Sequence, residues 1–383
     1  MPHPKLVDTV QGGTPRRVLV FNFFAGLKAR GIPLYARELE VCFERVGAHH
    51  EELRAPAWLA AAPVWLQNLA FVYYEQVVAP WTARRLGCEL TVYPYNSVGL
   101  WDAWRRRAVM VVHDLIPNRR DQRGLAARYI RTCQVLHARR GGPLATVSRH
   151  TQRQLQRIPQ FALSPKYLWV NPFYGFERAL ALMPPAPAAA PVAGRRLRVV
   201  LCSGTGANKD FRGALTLLSR LGVSELPELR VLGFGDSAEL ARGRVTQRLR
   251  PAWAEQVTVL PQISLSAIID EFRQADFVWV HSRAEGFGRP VMEARLCGRP
   301  VLATDIGAFR QLRKLRHVHL YRDEAFGDAW RAAVQDAQAP CPAAHADFLH
   351  HQIEAEVARL LTDTAAASPH APQGHSAANG SRA

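Results

Sequence analysis

Lysine is almost missing from this chain. Of 383 residues, only Lys5, Lys28, Lys166, Lys209 and Lys314 are lysines, so its 49 basic residues are nearly all arginine. Acid is short too: 32 Asp and Glu leave a formal net charge of +17. The deficit is uneven. Residues 1–180 carry 25 basic and 12 acidic residues, a net of +13, against 24 and 20, a net of +4, in the remainder. A coding bias towards arginine and a first half that faces anionic lipid or nucleic acid both remain open on composition.

Other absences narrow the class. Cys42, Cys88, Cys133, Cys202, Cys297 and Cys341 form no C-x-x-C pair, which argues against a zinc ribbon or a disulfide frame and reads as buried thiols in a reducing compartment. There is no Asp-x-Asp, no metal-ligand cluster and no repeat of 20–50 residues. The N-terminal MPHPKLVDTVQGG has no apolar core, so no signal peptide is expected. Residues 55–74 (APAWLAAAPVWLQNLAFVYY) lack charge altogether. A spanning helix needs about 20 apolar residues, but Pro56, Pro63, Gln67 and Asn68 argue against a span. The stretch reads as a core helix. An interfacial element with Trp58, Trp65 and Trp81 near lipid headgroups is the competing reading.

What is present is alternation. Short apolar runs (RRVLVFNFF 16–24, CELTVYPY 88–95, RAVMVVHD 107–114, PLATV 143–147) alternate with helical periodicity, as in IPLYARELEVCFERVG 32–47. Residues 181–196 (ALMPPAPAAAPVAGRR) break the pattern and read as a linker. The alternation then restarts with LRVVLCSGTG 197–206, ELRVLGFGD 228–236, QVTVLPQ 256–262, FVWVHS 277–282 and VLAT 301–304. The expected class is therefore α/β, with two doubly wound Rossmann-like domains facing each other across a cleft. The boundaries are 1–180, the linker 181–196, a second domain 197–345, a helix 346–363 expected to cross back onto the first domain, and a disordered tail 364–383.

In open α/β sheets, ligands bind beyond the carboxyl ends of the strands. The stretch SRAEGFGRPVMEARLCGRPVLATD (282–305) starts at such an end. Gly286 and Gly288 let backbone approach a ligand closely, and N–H groups before a helix attract phosphate. Glu285 and Glu293 flank this turn, and carboxylates accept hydrogen bonds from hydroxyls. The set suits a sugar, a diphosphate and a ribose in line. A tight strand–helix turn with two solvated glutamates is the plain alternative.

The pattern S-x-x-E-G-F-G-x-P-x-x-E-A with C-G-x-P-V behind it (Ser282, Glu285, Gly286, Phe287, Gly288, Pro290, Glu293, Ala294, Cys297, Gly298, Pro300, Val301) resembles the signature of family 4 retaining glycosyltransferases of GT-B fold. Weaker likenesses lie at 31–40, 74–81, 91–97, 111–117 and 146–155, so the resemblance covers roughly residues 16 to 320. It implies that Glu293 binds ribose hydroxyls, that Glu285 and Ser282 face the donor sugar, and that Gly286, Phe287 and Gly288 offer N–H groups. It implies that the loop with Gly204, Thr205 and Lys209 holds the diphosphate, and that His113 lies beside the reacting sugar. Asp114 orients that ring or caps the next turn. Gly26 and Gly31 border the phosphate and acceptor side. No metal and no cofactor is implied, the nucleotide diphosphate sugar being a co-substrate.

The sequence also departs from the family. Thr205 stands where an arginine is usual, with Arg212 as a substitute cation. His281 replaces a proline, Arg289 replaces an apolar residue, and DIGAFRQL (305–312) lacks a glycine and a glutamate. The resemblance implies transfer of a hexose, mannose first, to a lipid-linked or polysaccharide-precursor sugar at the cytoplasmic face of a bacterial membrane. A non-catalytic binding subunit, or an enzyme with a soluble acceptor, is the alternative. No stacking module or recognition helix supports nucleic acid as a partner.

Overall fold

The computed structural model describes residues 16–27, 31–116, 124–184, 195–204, 206–221, 227–249 and 251–366. Two parallel six-stranded sheets organise them. The first contains β1 (Arg17–Phe21), β2 (His49–Leu53), β3 (Leu90–Tyr93), β4 (Ala108–Val112), β5 (Leu144–Thr146) and β6 (Lys166–Leu168) in the order β2-β1-β3-β4-β5-β6. The second contains β7 (Arg198–Cys202), β8 (Glu228–Leu232), β9 (Val257–Val259), β10 (Phe277–Val280), β11 (Val301–Thr304) and β12 (Val318–Tyr321) in the order β12-β11-β10-β7-β8-β9. Both sheets are covered by helices, as parallel sheets require, and the central strands β3, β4, β10 and β11 are buried throughout. That is why they stand out in the sequence as unbroken apolar runs. The edge strand β2 (HHEEL) has no such run and escapes the sequence pattern.

Strand order reverses between β1 and β3 in the first sheet and between β7 and β10 in the second. Such switch points open crevices at the carboxyl ends of the strands. The loops following β1, β7 and β10 leave from these points. The two domains share a continuous apolar cluster in which Phe173 of the first meets Phe287 of the second, ring centroids 6.1 Å apart.

The C-terminal helix Asp347–Ala366 lies on the first domain, not the second. Ile353, Val357 and Leu360 are fully buried there. Arg45 donates to Glu354 at 2.6 Å, the Tyr174 hydroxyl to Glu354 at 2.7 Å and the Leu168 N–H to Glu356 at 3.1 Å. The helix runs past the expected tail boundary: Thr364 belongs to it and accepts from Arg16 at 2.9 Å. The remaining tail, 367–383, and linker residues 185–194 lie outside the described residues.

One expectation is corrected. Residues 55–74 do not form a core helix. Helix Val64–Tyr73 contains no fully buried residue, and Trp58 and Trp65 are exposed. Lack of charge was a poor guide to burial, because this helix is apolar on its outward face as well as its inward one. Among the described residues, no helix is long and apolar enough to cross a membrane.

Candidate functional site

The loop after β7 is laid down by a backbone contact. Gly233, at the end of β8, has φ +109°, and a β-carbon there would come within 1.8 Å of the Ser203 carbonyl oxygen. Only glycine permits that approach. The Ser203 hydroxyl donates to the Lys209 carbonyl at 3.0 Å. Asp210, at φ +41°, then caps helix Phe211–Ser219 by accepting from the Gly213 N–H at 3.1 Å. Its other oxygen faces buried His281 at 3.4 Å, and the His281 ring meets the Tyr321 hydroxyl at 2.5 Å. His281 thus braces the loop after β7 through Asp210. Gly204 sits at the start of this loop, Thr205 lies outside the described residues, and Arg212 is exposed in the first turn of the helix.

The loop after β10 is stitched to it. The Arg283 N–H donates to the Asn208 carbonyl at 2.6 Å, and the Asn208 amide to the Ala284 carbonyl at 3.1 Å. This brings the Lys209 ammonium onto the Glu285 carboxylate, which also accepts from the Ser282 hydroxyl at 2.8 Å. Lys209, 76 positions from Glu285 in sequence, thus joins Glu285 and Ser282 in one cluster.

Beyond Glu285, the N–H groups of Gly286, Phe287 and Gly288 find no acceptor among the described residues. The Phe287 side chain is buried against Phe173. Gly288, at φ +95°, lies so close over Phe309 that a β-carbon would meet its ring at 2.3 Å. Helix Arg289–Leu296 starts directly after these residues, with Pro290 as its second residue. Glu293 lies one turn on and accepts from Arg289 Nε at 3.1 Å. Arg289 also donates to Asn171 (3.3 Å) and to the Pro172 carbonyl (3.2 Å), and stacks on Phe173 at 4.5 Å. It therefore joins Glu293 to the opposite domain.

The facing wall comes from the first domain. The His113 Nε2–H donates to the Pro94 carbonyl at 2.8 Å, which sets the tautomer and leaves Nδ1 without a proton. Burial pushes His113 down to about 4, with the Pro94 bond opposing and the Arg289 charge assisting, so the ring is neutral near pH ~7. Tyr35, from the helix that Gly31 opens, stands edge-on to it at 4.8 Å. Asp114 caps the following turn through the Ile116 N–H at 2.9 Å rather than bonding the imidazole. Burial raises its carboxyl; the Ile116 bond opposes, Glu285 adds and Lys209 opposes. Gly26 ends the short helix Phe23–Gly26 after β1, with open space around it.

Between these walls lies a cleft of ≈ 490 Å³ lined by Asp114 and Arg157 on one side and by Arg283, Glu285 and Gly307 on the other. Of the residues singled out from sequence, Asp114 and Glu285 line this cleft, Lys209 and Ser282 bond to Glu285, and His113 and Glu293 are not in its lining. Gly26 and Gly31 border the rim of the first sheet, and Arg212 joins none of these contacts. Among the described residues, no three His, Cys, Asp or Glu side chains converge as a metal site.

Residues 198–336 match the family described as glycosyl transferases group 1. Over the described residues, the fold is GT-B. Sucrose-phosphate synthase from Thermosynechococcus elongatus superposes with a TM-score of 0.64 at 16% identity, covering 92% of this chain and 100% of that one. Anabaena HepE in complex with UDP and glucose gives 0.59 at 15%, covering 92% and 100%. The catalytic domain of starch synthase IV from Arabidopsis thaliana, bound to ADP and acarbose, gives 0.59 at 11%, covering 92% and 99%. In sequence, the D-inositol 3-phosphate glycosyltransferase of Rhodococcus opacus is 32% identical over 127 residues, 33% of this chain and 28% of that relative's length.

Several site residues were not singled out from sequence. Gly233 reads as one glycine of an ordinary loop. Arg283, which pairs with Asp210 and Asp323, had no motif behind it. Glu38 lies inside an amphipathic helix, 2% exposed, with Arg289 Nη2 at 3.9 Å. Burial lifts it to about 7, against the Arg289 charge and the Gly175 N–H bond. Its only signal was a charged residue on the apolar side of the helix.

Proposed function

We propose that this protein is a retaining glycosyltransferase that moves a hexose from a nucleotide diphosphate sugar to a sugar hydroxyl. The carrying observation is Glu285, which lines the interdomain cleft, bonds Lys209 and Ser282, and leads directly into the three N–H groups and, on the helix behind them, Glu293. Those N–H groups and the Lys209 ammonium provide positive potential for a diphosphate. Glu293 accepts from ribose hydroxyls, and Glu285, held by Ser282 and Lys209, accepts from donor-sugar hydroxyls. His113, neutral and with a fixed tautomer, faces the sugar from the other domain.

Neither glutamate serves as a nucleophile. The leaving diphosphate deprotonates the incoming hydroxyl on the same face, so configuration is retained and no resident metal is required. The protein's part is orientation and stabilisation of developing charge. Mannose from GDP-mannose is the first donor to test. UDP-glucose stands beside it, because HepE has been determined with UDP-glucose. The acceptor is a lipid-linked or polysaccharide-precursor sugar met at the cytoplasmic face of a membrane.

The test is titration calorimetry with UDP, GDP, ADP and their sugars on the wild type and Glu293→Ala, followed by transfer assays with the donor that binds. One base that binds the wild type and loses the mutant supports the reading. Binding without transfer to any acceptor sugar would favour a nucleotide-binding subunit, the reading that Thr205 in place of arginine suggests.

A further inference from the structure

The segment misread as core carries a second surface. Helix Val64–Tyr73, a single π-helical turn Tyr74–Val78 and helix Ala79–Arg85 form one continuous rod. Its inner side packs on the first domain. Phe71 stacks on Phe24 at 5.4 Å, Glu75 is fully buried and accepts from Ser97 at 2.6 Å, and Ala79 and Ala83 are buried. Its outer side repeats every four residues: Trp65, Leu69, Tyr73, Val77 and Trp81, each between 50% and 68% exposed. In a regular α-helix, a row at that spacing winds around the rod, since four residues exceed one turn. The wider π turn under Tyr73 and Val77 holds the row back, so all five stay on one side.

The row does not end alone. Trp58 and Val64 are exposed at its start, and Trp101 and Trp104 beyond its end. Trp101 and Arg105 share a crevice with Pro80 and Arg84 of the rod. Arg85 lies over Trp81 at 5.3 Å, Arg105 over Trp101 at 4.7 Å and Arg140 over Trp104 at 3.5 Å. Arg84, Arg106 and Arg107 are exposed as well. In residues 55–88 and 99–108, the acidic residues are Glu75 and Asp102, and both are buried. The surface is thus an apolar, aromatic row edged by arginine without exposed acid in these segments.

We propose that this row docks the first domain on a bilayer surface containing anionic lipid, with the rod lying in the plane of the interface. Tryptophan and tyrosine settle at headgroup depth, and each nearby arginine gains from anionic headgroups. A second copy of this chain is the weaker occupant, because a two-fold contact would set one arginine edge against another. Docking stands independently of the transferase reading. Only the delivery of a lipid-linked acceptor, past the Phe23–Gly26 turn that Phe71 and Tyr74 cover, rests on it.

The experiment is co-sedimentation of the full chain with phosphatidylcholine vesicles, with and without phosphatidylglycerol. It compares the wild type, Trp65→Ser/Leu69→Ser/Trp81→Ser, and Arg84→Gln/Arg85→Gln/Arg105→Gln. Expected is binding of the wild type to the anionic vesicles only, weakened about tenfold or more in both variants. Nucleotide titration and circular dichroism should be unchanged in each, which separates lost docking from lost fold or a lost donor site. Equal binding of all three proteins to anionic vesicles, or none by the wild type, overturns the proposal. So does a wild-type dimer in sedimentation velocity that the row variant dissolves without any change in lipid binding.

Discussion

The backbone of Gly286 rests against the carbonyl of His113, so closely that a β-carbon at Gly286 would sit 2.1 Å from that oxygen. The contact joins the loop after β10 in one domain to the first residue after β4 in the other. Gly286→Ala should push the two walls apart. The expected outcome is a soluble, folded protein with melting lowered by an overpacking cost of about 1–3 kcal/mol and with sharply reduced transfer. Thermal melts and turnover measured together check it; wild-type turnover in the alanine variant would show that the approach is incidental.

Glu293→Ala should weaken binding of the free nucleotide by roughly ten- to a hundredfold. Hydrogen bonds to a charged acceptor contribute about 1.5–3 kcal/mol, which the proposed ribose contact would lose. Calorimetry with the nucleoside diphosphate and with the matching free phosphate separates the two contributions. Unchanged affinity would refute the ribose role.

Lys209→Ala removes the cation and also frees Glu285, to which Lys209 is bonded. Transfer should fall by about a hundredfold or more, with donor affinity falling less, because the charge being stabilised grows in the transition state. A comparable loss in affinity and turnover would instead mark Lys209 as a uniform binding residue.

Stability should depend on pH through Glu75. Burial raises its carboxyl from the usual 4.5 to about 7, against hydrogen bonds from Ser97, Tyr129 and Gln76. The folded protein then holds a proton that the unfolded chain releases across that interval. Its contribution therefore falls as pH rises from about 4.5 to about 7 and is constant above. Glu75→Gln removes this dependence. Its melting temperature should gain on the wild type at pH ~8 and lose that advantage towards pH ~5. A difference that does not vary with pH would remove Glu75 as the cause.

The two kinds of information divide by physical origin. Central strands are buried on both faces, so β1, β4, β7 and β10 were legible as apolar runs. The Gly286–Gly288 turn with Glu285 and Glu293 was legible because one short segment carries it. Sequence composition also located the charge excess in the first half. The edge strand β2 was hidden because half-solvated strands need no apolar run. The uncharged stretch 55–74 misled for a related reason: sequence shows that a helix is apolar, but only its packing shows which side is covered. Tertiary structure alone decided that Lys209 meets Glu285, that Arg289 ties Glu293 to the Phe173 wall, and that Trp65 to Trp81 form one outward row. Each depends on segments distant in the chain or on a helical phase set by one π turn, and neither leaves a local pattern to read.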